Sequence, residues 1–307
     1  MVRSAVPPNP ANPTVAVSQI VEHPSLNAVR DGLKEELIAN GYDPAKTLNW
    51  QWESAQGNPA TAVQIAKKFA AQSPSVIVAI ATPSAQAAVT SAPKTPVVFS
   101  AVTDPVNARL VPNLKPGSGL VTGVSDLAPI GKHLDLIKKI TPKTKRLGVV
   151  YNGGEANSVT LVNLLKVEAP KRGMTIVEAT VTGSSGVANA SKSLLGRADA
   201  VYVPTDNTVV SALESVLQVG TANKLPIFSG DNDSVERGAI ASLGFNYKTL
   251  GKQTGKIVVR ILKGEAPGSI PVETPEQLDL YLNPKAATAM GVKLPEALVK
   301  TAAKVVQ

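Results

Sequence analysis

Short apolar runs rich in β-branched residues alternate with longer stretches of helical period along nearly the whole chain, and few folds accommodate that alternation. The first run, residues 14–20, ends in the loop Val21-Glu22-His23-Pro24-Ser25. A helix then places Leu26, Val29, Leu33, Leu37 and Ile38 on one face and stops at Gly41. Residues 48–53 predict a second strand, and Pro59 suits the first position of the helix after it. Residues 76–80 predict a buried strand followed by Ala81-Thr82-Pro83-Ser84 and a helix. The run 97–101 repeats the pattern and ends in Val102-Thr103-Asp104-Pro105-Val106. Strand–helix alternation with polar loops at the strand C-termini predicts a parallel, doubly wound α/β sheet.

A second series begins after the glycine-bearing stretch 116–123, where Gly117, Gly119 and Gly123 read as hinge flexibility. It runs through a helix at 130–140, a strand at 146–151, the loop 152–158 and another helix. Strands at 175–179, 200–203, 226–228 and 239–245 follow, and then a long helix over 247–262. Two Rossmann-like series predict two lobes, with ligand-binding loops on either side of one cleft. The segments 275–282 and 295–305 have no counterpart in the repeat and are expected to cross back between lobes.

With 307 residues, 43% of them hydrophobic and 18% charged, the chain suits a folded protein of two lobes of about 100–150 residues each. Aromatics are only 4%, so small aliphatic side chains must build the cores. The absence of cysteine excludes thiol catalysis, thiolate metal sites and disulfides. The formal charge of +8 raises nucleic acid as a partner, with Lys138, Lys139, Lys143, Lys145 and Arg146 as the densest run. Cations at a helix C-terminus explain that run without a partner, and no recognition motif accompanies it. No stretch has the roughly 20 apolar residues of a membrane span. Pro7, Pro8, Pro10 and Pro13 stand where a leader's apolar segment would, which leaves a cytoplasmic protein or a mature, exported form, and the Pro/Asn-rich stretch before the first strand favours the second.

The polar loops carry the functional signal. Thr205, Asp206, Asn207 and Thr208 open a helix, and they suit either an N-cap cluster or a carboxylate receiving a ligand ammonium. The loop Asn152-Gly153-Gly154-Glu155-Ala156-Asn157-Ser158 also opens a helix, where backbone N–H groups favour an anion such as a ligand carboxylate. Asp231 and Asp233 lack the further oxygen ligands of a calcium loop. Of the two histidines, His23 falls in a strand-end loop and reads as a ligand contact, while His133 lies on a helix face expected at the surface. Neither lies near a nucleophile elbow, so an enzyme is disfavoured. Trp50 and Trp52 share one face of a strand, where packing under a helix competes with stacking on a sugar.

The order Ile20-Val21-Glu22-His23-Pro24-Ser25-Leu26, Ala55-Gln56-Gly57-Asn58 and Phe99-Ser100-Ala101-Val102-Thr103-Asp104-Pro105-Val106 resembles ABC-transporter substrate-binding proteins of the tryptophan/aromatic amino-acid type. Thr122-Gly123-Val124-Ser125-Asp126, Tyr151 to Ser158, Pro204-Thr205-Asp206-Asn207 and Gly244-Phe245-Asn246-Tyr247 continue the match. Asn152-Gly153-Gly154-Glu155 departs from that family's Asn-Pro-Gly-Glu form.

The resemblance implies a type I periplasmic-binding-protein fold with a three-crossing hinge. One lobe would comprise 14–123 plus 247–272, the other 124–246 plus 273–307. It further implies an ABC transporter permease as partner and a site at the periplasmic or extracellular face of the cytoplasmic membrane. A monomer without cofactor, metal, nucleic acid or membrane insertion is expected. The expected ligand is an amino acid, aromatic by best fit, bound by lobe closure. Asp206 would take the ammonium, and Asn157 with Ser158 the carboxylate. The side chain would lie near His23, Thr82, Ser84 and Asp104, and Ser25, Thr103, Thr205, Asn207 and Asp231 complete the expected contacts. A sugar, nucleoside or other small solute on the same fold, or a sensor domain signalling to a partner, is the alternative.

Overall fold

The computed structural model describes residues 12–307; the prolines at 7, 8 and 10 lie outside them. The chain forms two compact units and passes between them three times, after Leu127, Asn246 and Pro275.

The first unit alternates strand and helix from β1 (Thr14–Gln19) and α1 (Pro24–Ala39) through β2 (Asn49–Ser54), α2 (Pro59–Ala71), β3 (Val76–Ile80) and α3 (Thr82–Ser91) to β4 (Val97–Val102) and β5 (Val121–Ser125). All five strands are parallel, in the order β2-β1-β3-β4-β5. β3 and β4, apolar apart from Ser100, are buried along their whole length, as strands covered on both faces must be. Asn58 caps α2 by accepting from the N–H groups of Ala60 and Thr61.

The returning helix Tyr247–Leu262 lies against α1 at a glycine seam. A Cβ on Gly32 would stand 2.1 Å from the Lys248 carbonyl oxygen, and one on Gly251 would stand 2.1 Å from that of Val29. The two backbones touch because neither residue has a side chain. Gly123 serves packing too, rather than flexibility: within β5, a Cβ there would meet the Phe99 carbonyl oxygen at 2.1 Å. This unit retains residues 124–127 and 273–275, which the boundaries implied by the resemblance assign to the second lobe. The reason is pairing, since Ser125 aligns with Val102 on β4 and Val124 bridges Glu273.

The second unit runs α4 (Ile130–Ile140), β6 (Arg146–Asn152), α5 (Ala156–Glu168), β7 (Thr175–Val181), α6 (Val187–Lys192), β8 (Ala200–Val203), α7 (Asn207–Ser211), α8 (Leu213–Asn223), β9 (Ile227–Ser229), α9 (Asp233–Arg237) and β10 (Ala241–Gly244). Its main sheet is parallel, in the order β7-β6-β8-β9. The expected all-parallel pattern fails at its end. β10 pairs antiparallel with β11 (Asp279–Leu282), which pairs parallel with β12 (Lys304–Val305) in a separate small sheet. The segment expected to cross back is thus built into this unit as two strands.

His133 is only 3% exposed, against the surface position expected for it. The Tyr202 hydroxyl lies 2.7 Å from its Nδ1, and its Nε2 lies 2.8 Å from the Leu243 carbonyl oxygen. Burial depresses the imidazole to a pKa of about 4, so it stays neutral and ties α4 to β8 and β10. The basic run after α4 is used locally: Lys138 donates to the Pro142 and Thr144 carbonyls, and Arg146 pairs with Asp199 at 2.7 Å. Among the described residues, no helix is long and apolar enough to cross a membrane.

Candidate functional site

Both units place polar residues at the C-terminal ends of their parallel strands, the edge where α/β sheets take ligands. In the first unit the β3–α3 junction is the most unusual. Ala81 has φ +75° and ψ 157°, a conformation that a residue with a Cβ rarely adopts, and Ala101 at the end of β4 has φ +53°. Strain at two neighbouring strand ends marks geometry imposed by something other than local preference.

Helix α3 starts directly after Ala81 with no side-chain cap. Thr82 and Ser84 are 1% and 0% exposed, and their hydroxyls find no hydrogen-bond partner. Buried hydroxyls are nearly always partnered, because leaving one unpaired costs about 1–3 kcal/mol. Two such donors beside free N–H groups at the positive end of a helix suit an anion.

The neighbouring loops are better satisfied. Asp104 turns its own loop by accepting from the N–H groups of Val106 (3.1 Å) and Asn107 (2.9 Å). Thr103, 2% exposed, donates to Asp126 Oδ1 at 3.4 Å, and its carbonyl accepts from the Ser125 hydroxyl. Asp126 is 4% exposed and receives the Tyr247 hydroxyl at 2.8 Å. Burial pushes the Asp126 carboxyl up, against those hydrogen bonds. His23 and Ser25 are buried at the start of α1. Trp50 and Trp52 lie beneath α1, with Lys34 5.8 Å over one ring and the Arg30 guanidinium 4.5 Å over the other. Those faces are taken, so they make no stacking platform for a sugar.

The second unit gathers two carboxylates. Asp206, 0% exposed, caps α7 by accepting from the Val209 N–H at 2.8 Å. Its other oxygen accepts from the Asn152 N–H and the Ser158 hydroxyl, each at 2.6 Å. Glu155 accepts from the Asn207 side-chain amide (2.6 Å), the Thr208 hydroxyl (2.7 Å) and both of their backbone N–H groups. No lysine or arginine pairs with either acid among the described residues. Burial, and then the charge of Glu155, raises the Asp206 carboxyl to about 7.

This geometry changes the roles expected from sequence. Ser158 and Asn207 donate inward to the acids and Asp231 accepts from Ser234 N–H and Oγ, so these groups hold the loops. A ligand carboxylate among them would meet two like charges. What the cluster leaves open is the Asn157 carbonyl Oδ1 and the Thr205 hydroxyl. Sequence reading missed Glu155, Asp126 and Tyr247 as site residues, although each stands in a quoted motif. Their importance comes from burial, which no motif shows. Among the described residues, no three His, Cys, Asp or Glu side chains gather into a metal site.

The family described as ABC transporter substrate binding protein matches residues 14–306. The chain belongs to that family. This ABC substrate-binding protein is 39% identical over 279 residues to the tyrosine-binding protein of Clostridioides difficile, covering 91% of this chain and 81% of that one. Among solved structures it is similar to a conserved domain protein from Vibrio cholerae, at 48% identity and a TM-score of 0.94, covering 96% and 99% of the two chains. It is also similar to a Streptococcus ABC domain in complex with L-Trp, at 34% identity and a TM-score of 0.93, covering 96% and 100%. The two-lobed, type I periplasmic-binding-protein architecture expected from the sequence is that of its structural neighbours. Substrate-binding proteins of ABC importers are extracytoplasmic; they carry a small molecule to a permease and are not enzymes.

Proposed function

We propose that this ABC substrate-binding protein captures an aromatic amino acid, tyrosine or tryptophan, without reacting it. It acts as a monomer at the periplasmic or extracellular face of the cytoplasmic membrane. The observation that carries the reading is the pair of buried, unpartnered hydroxyls on Thr82 and Ser84 at the uncapped start of α3. An amino acid's carboxylate supplies the acceptor these donors lack. The aromatic class is supported by two relatives, one named tyrosine-binding and one holding L-Trp.

His23, Ser25, Thr103 and Asp104 complete the first-unit loops around that carboxylate. In the second unit Ser158, Asp206, Asn207 and Asp231 hold the strand-end loops that leave Asn157 Oδ1 and the Thr205 hydroxyl open for a polar group of the solute.

A thermal-shift and calorimetric screen of the twenty amino acids, sugars and nucleosides tests this. A cognate ligand at about 100 times its Kd adds roughly 2.7 kcal/mol of stability. The expected result is a raised Tm with Tyr, Trp or Phe and none with sugars. A shift confined to a sugar or nucleoside would overturn the reading.

A further inference from the structure

We infer that the Asn157 side-chain carbonyl receives the solute's ammonium group, with the buried carboxylates of Glu155 and Asp206 as the negative charge behind it. The inference rests on the amino-acid reading and names which atoms complete it. Asn157 is 4% exposed and its amide orientation is fixed. Its Nδ2 donates to Glu155 Oε2 at 3.2 Å and to the Thr205 carbonyl oxygen at 3.1 Å. Swapping N and O would set the amide oxygen against two acceptors, so Oδ1 is the atom left open, and it has no partner. A buried acceptor in that state calls for a donor.

The surroundings select the kind of donor. Asp206 and Glu155 bring two carboxylates into one set of loops, linked through Ser158, Asn207 and Thr208, with only neutral donors satisfying them. A neutral N–H would fill Oδ1, but only a cation also answers the charge. Asp206 itself cannot be the contact: three donors already occupy its oxygens and it is wholly buried. Glu155 and Asp206 are therefore positioning residues, and Asn157 with the open Thr205 hydroxyl is the contact.

The test is calorimetry on the full chain with L-tyrosine and with its deamino analogue, 3-(4-hydroxyphenyl)propionate, which keeps the ring and carboxylate and lacks the ammonium. Wild-type protein is expected to prefer L-tyrosine by about 100-fold. Asn157→Ala should weaken L-tyrosine about 10- to 100-fold and the analogue by less than about threefold. Equal losses for both ligands would overturn the inference while leaving the aromatic amino-acid reading intact. Thr205→Val, which keeps the side chain's shape, guards against misfolding of the first variant and should show a smaller loss for L-tyrosine alone. If no aromatic amino acid binds, that reading fails on its own. The same comparison then applies to whichever solute the screen returns, and a ligand without an ammonium would overturn the inference too.

Discussion

The strand-end loops of the two units solve opposite problems. Those of the first leave donors open, Thr82 and Ser84 at an uncapped helix start reached through a strained Ala81. Those of the second are almost saturated by Asp206 and Glu155, and what they leave open is the acceptor on Asn157 with the Thr205 hydroxyl. A group without a partner in the folded chain is there for something outside it, whereas a group with three partners holds the loop. Donors left open suit an anion, and an acceptor left open beside carboxylates suits a cation.

The comparison breaks first at Asp206. If it holds the loop rather than the ligand directly, Asp206→Ala should cost the second unit about 2–3 kcal/mol. The variant loses a helix cap and orphans the Ser158 hydroxyl and the Asn152 N–H. Urea unfolding of the ligand-free protein reads this. An unchanged midpoint together with lost binding would make Asp206 a ligand contact after all.

Thr82→Val and Ser84→Ala should do the reverse. Each should weaken ligand binding about 10-fold, and stability should hold or rise by up to about 1 kcal/mol, since a buried unpaired hydroxyl is removed. Variants that unfold more easily than the parent would show that these hydroxyls have partners within the protein.

Acid pH sharpens the contrast, because the shift at Asp206 runs opposite to the usual carboxylate. Its folded pKa, raised to about 7, lies above the unfolded value near 4, so in that window the folded state binds more protons than the unfolded one. Stability of the second unit should therefore fall as pH rises from about 4 to about 7, by at most about 1.4 kcal/mol per pH unit, and level off above. Asp206→Asn should flatten that slope. Ligand affinity should move the other way: an ammonium near Asp206 favours its ionised form, so binding weakens as pH drops below about 7. An affinity independent of pH between about 5 and 8 would remove the charge from the account.

Much of the fold was legible because its signal is local. The run 76–80 is apolar throughout and 97–101 is apolar but for Ser100, since β3 and β4 are covered on both faces, and Pro59 and Asn58 announce the start of α2. The two tryptophans sit under α1 as their alternation suggests. β11 and β12 were not legible, because short strands with partly exposed residues carry too little hydrophobic alternation to count. Gly123 was misread for a related reason: a glycine that turns and a glycine that lets backbones touch are the same letter. At the site, the sequence named polar strand-end loops but not the direction of each hydrogen bond within them. Asp206 as an N-cap and Asp206 as an ammonium ligand use the same residues at the same spacing, and only its three donors separate them.

The mildest test concerns Tyr247, which stands where the chain re-enters the first unit and donates to the buried Asp126 at 2.8 Å. Removing that hydroxyl with Tyr247→Phe leaves the carboxylate with its own backbone N–H and the long contact from Thr103 at 3.4 Å. Burial already raises Asp126, and loss of a donor that favours the ionised form raises it further. The protein should lose about 1 kcal/mol at neutral pH, and less as pH falls and the acid becomes protonated in the folded state. Asp126 lies on the donor-bearing unit, so the variant also asks whether a carboxylate there serves the ligand. If it only supports the loops, the Kd for an aromatic amino acid should change by less than about threefold. A larger loss confined to ligands bearing an ammonium would place a second acceptor for that group on the first unit. The division between a donor unit and an acceptor unit would then have to be redrawn.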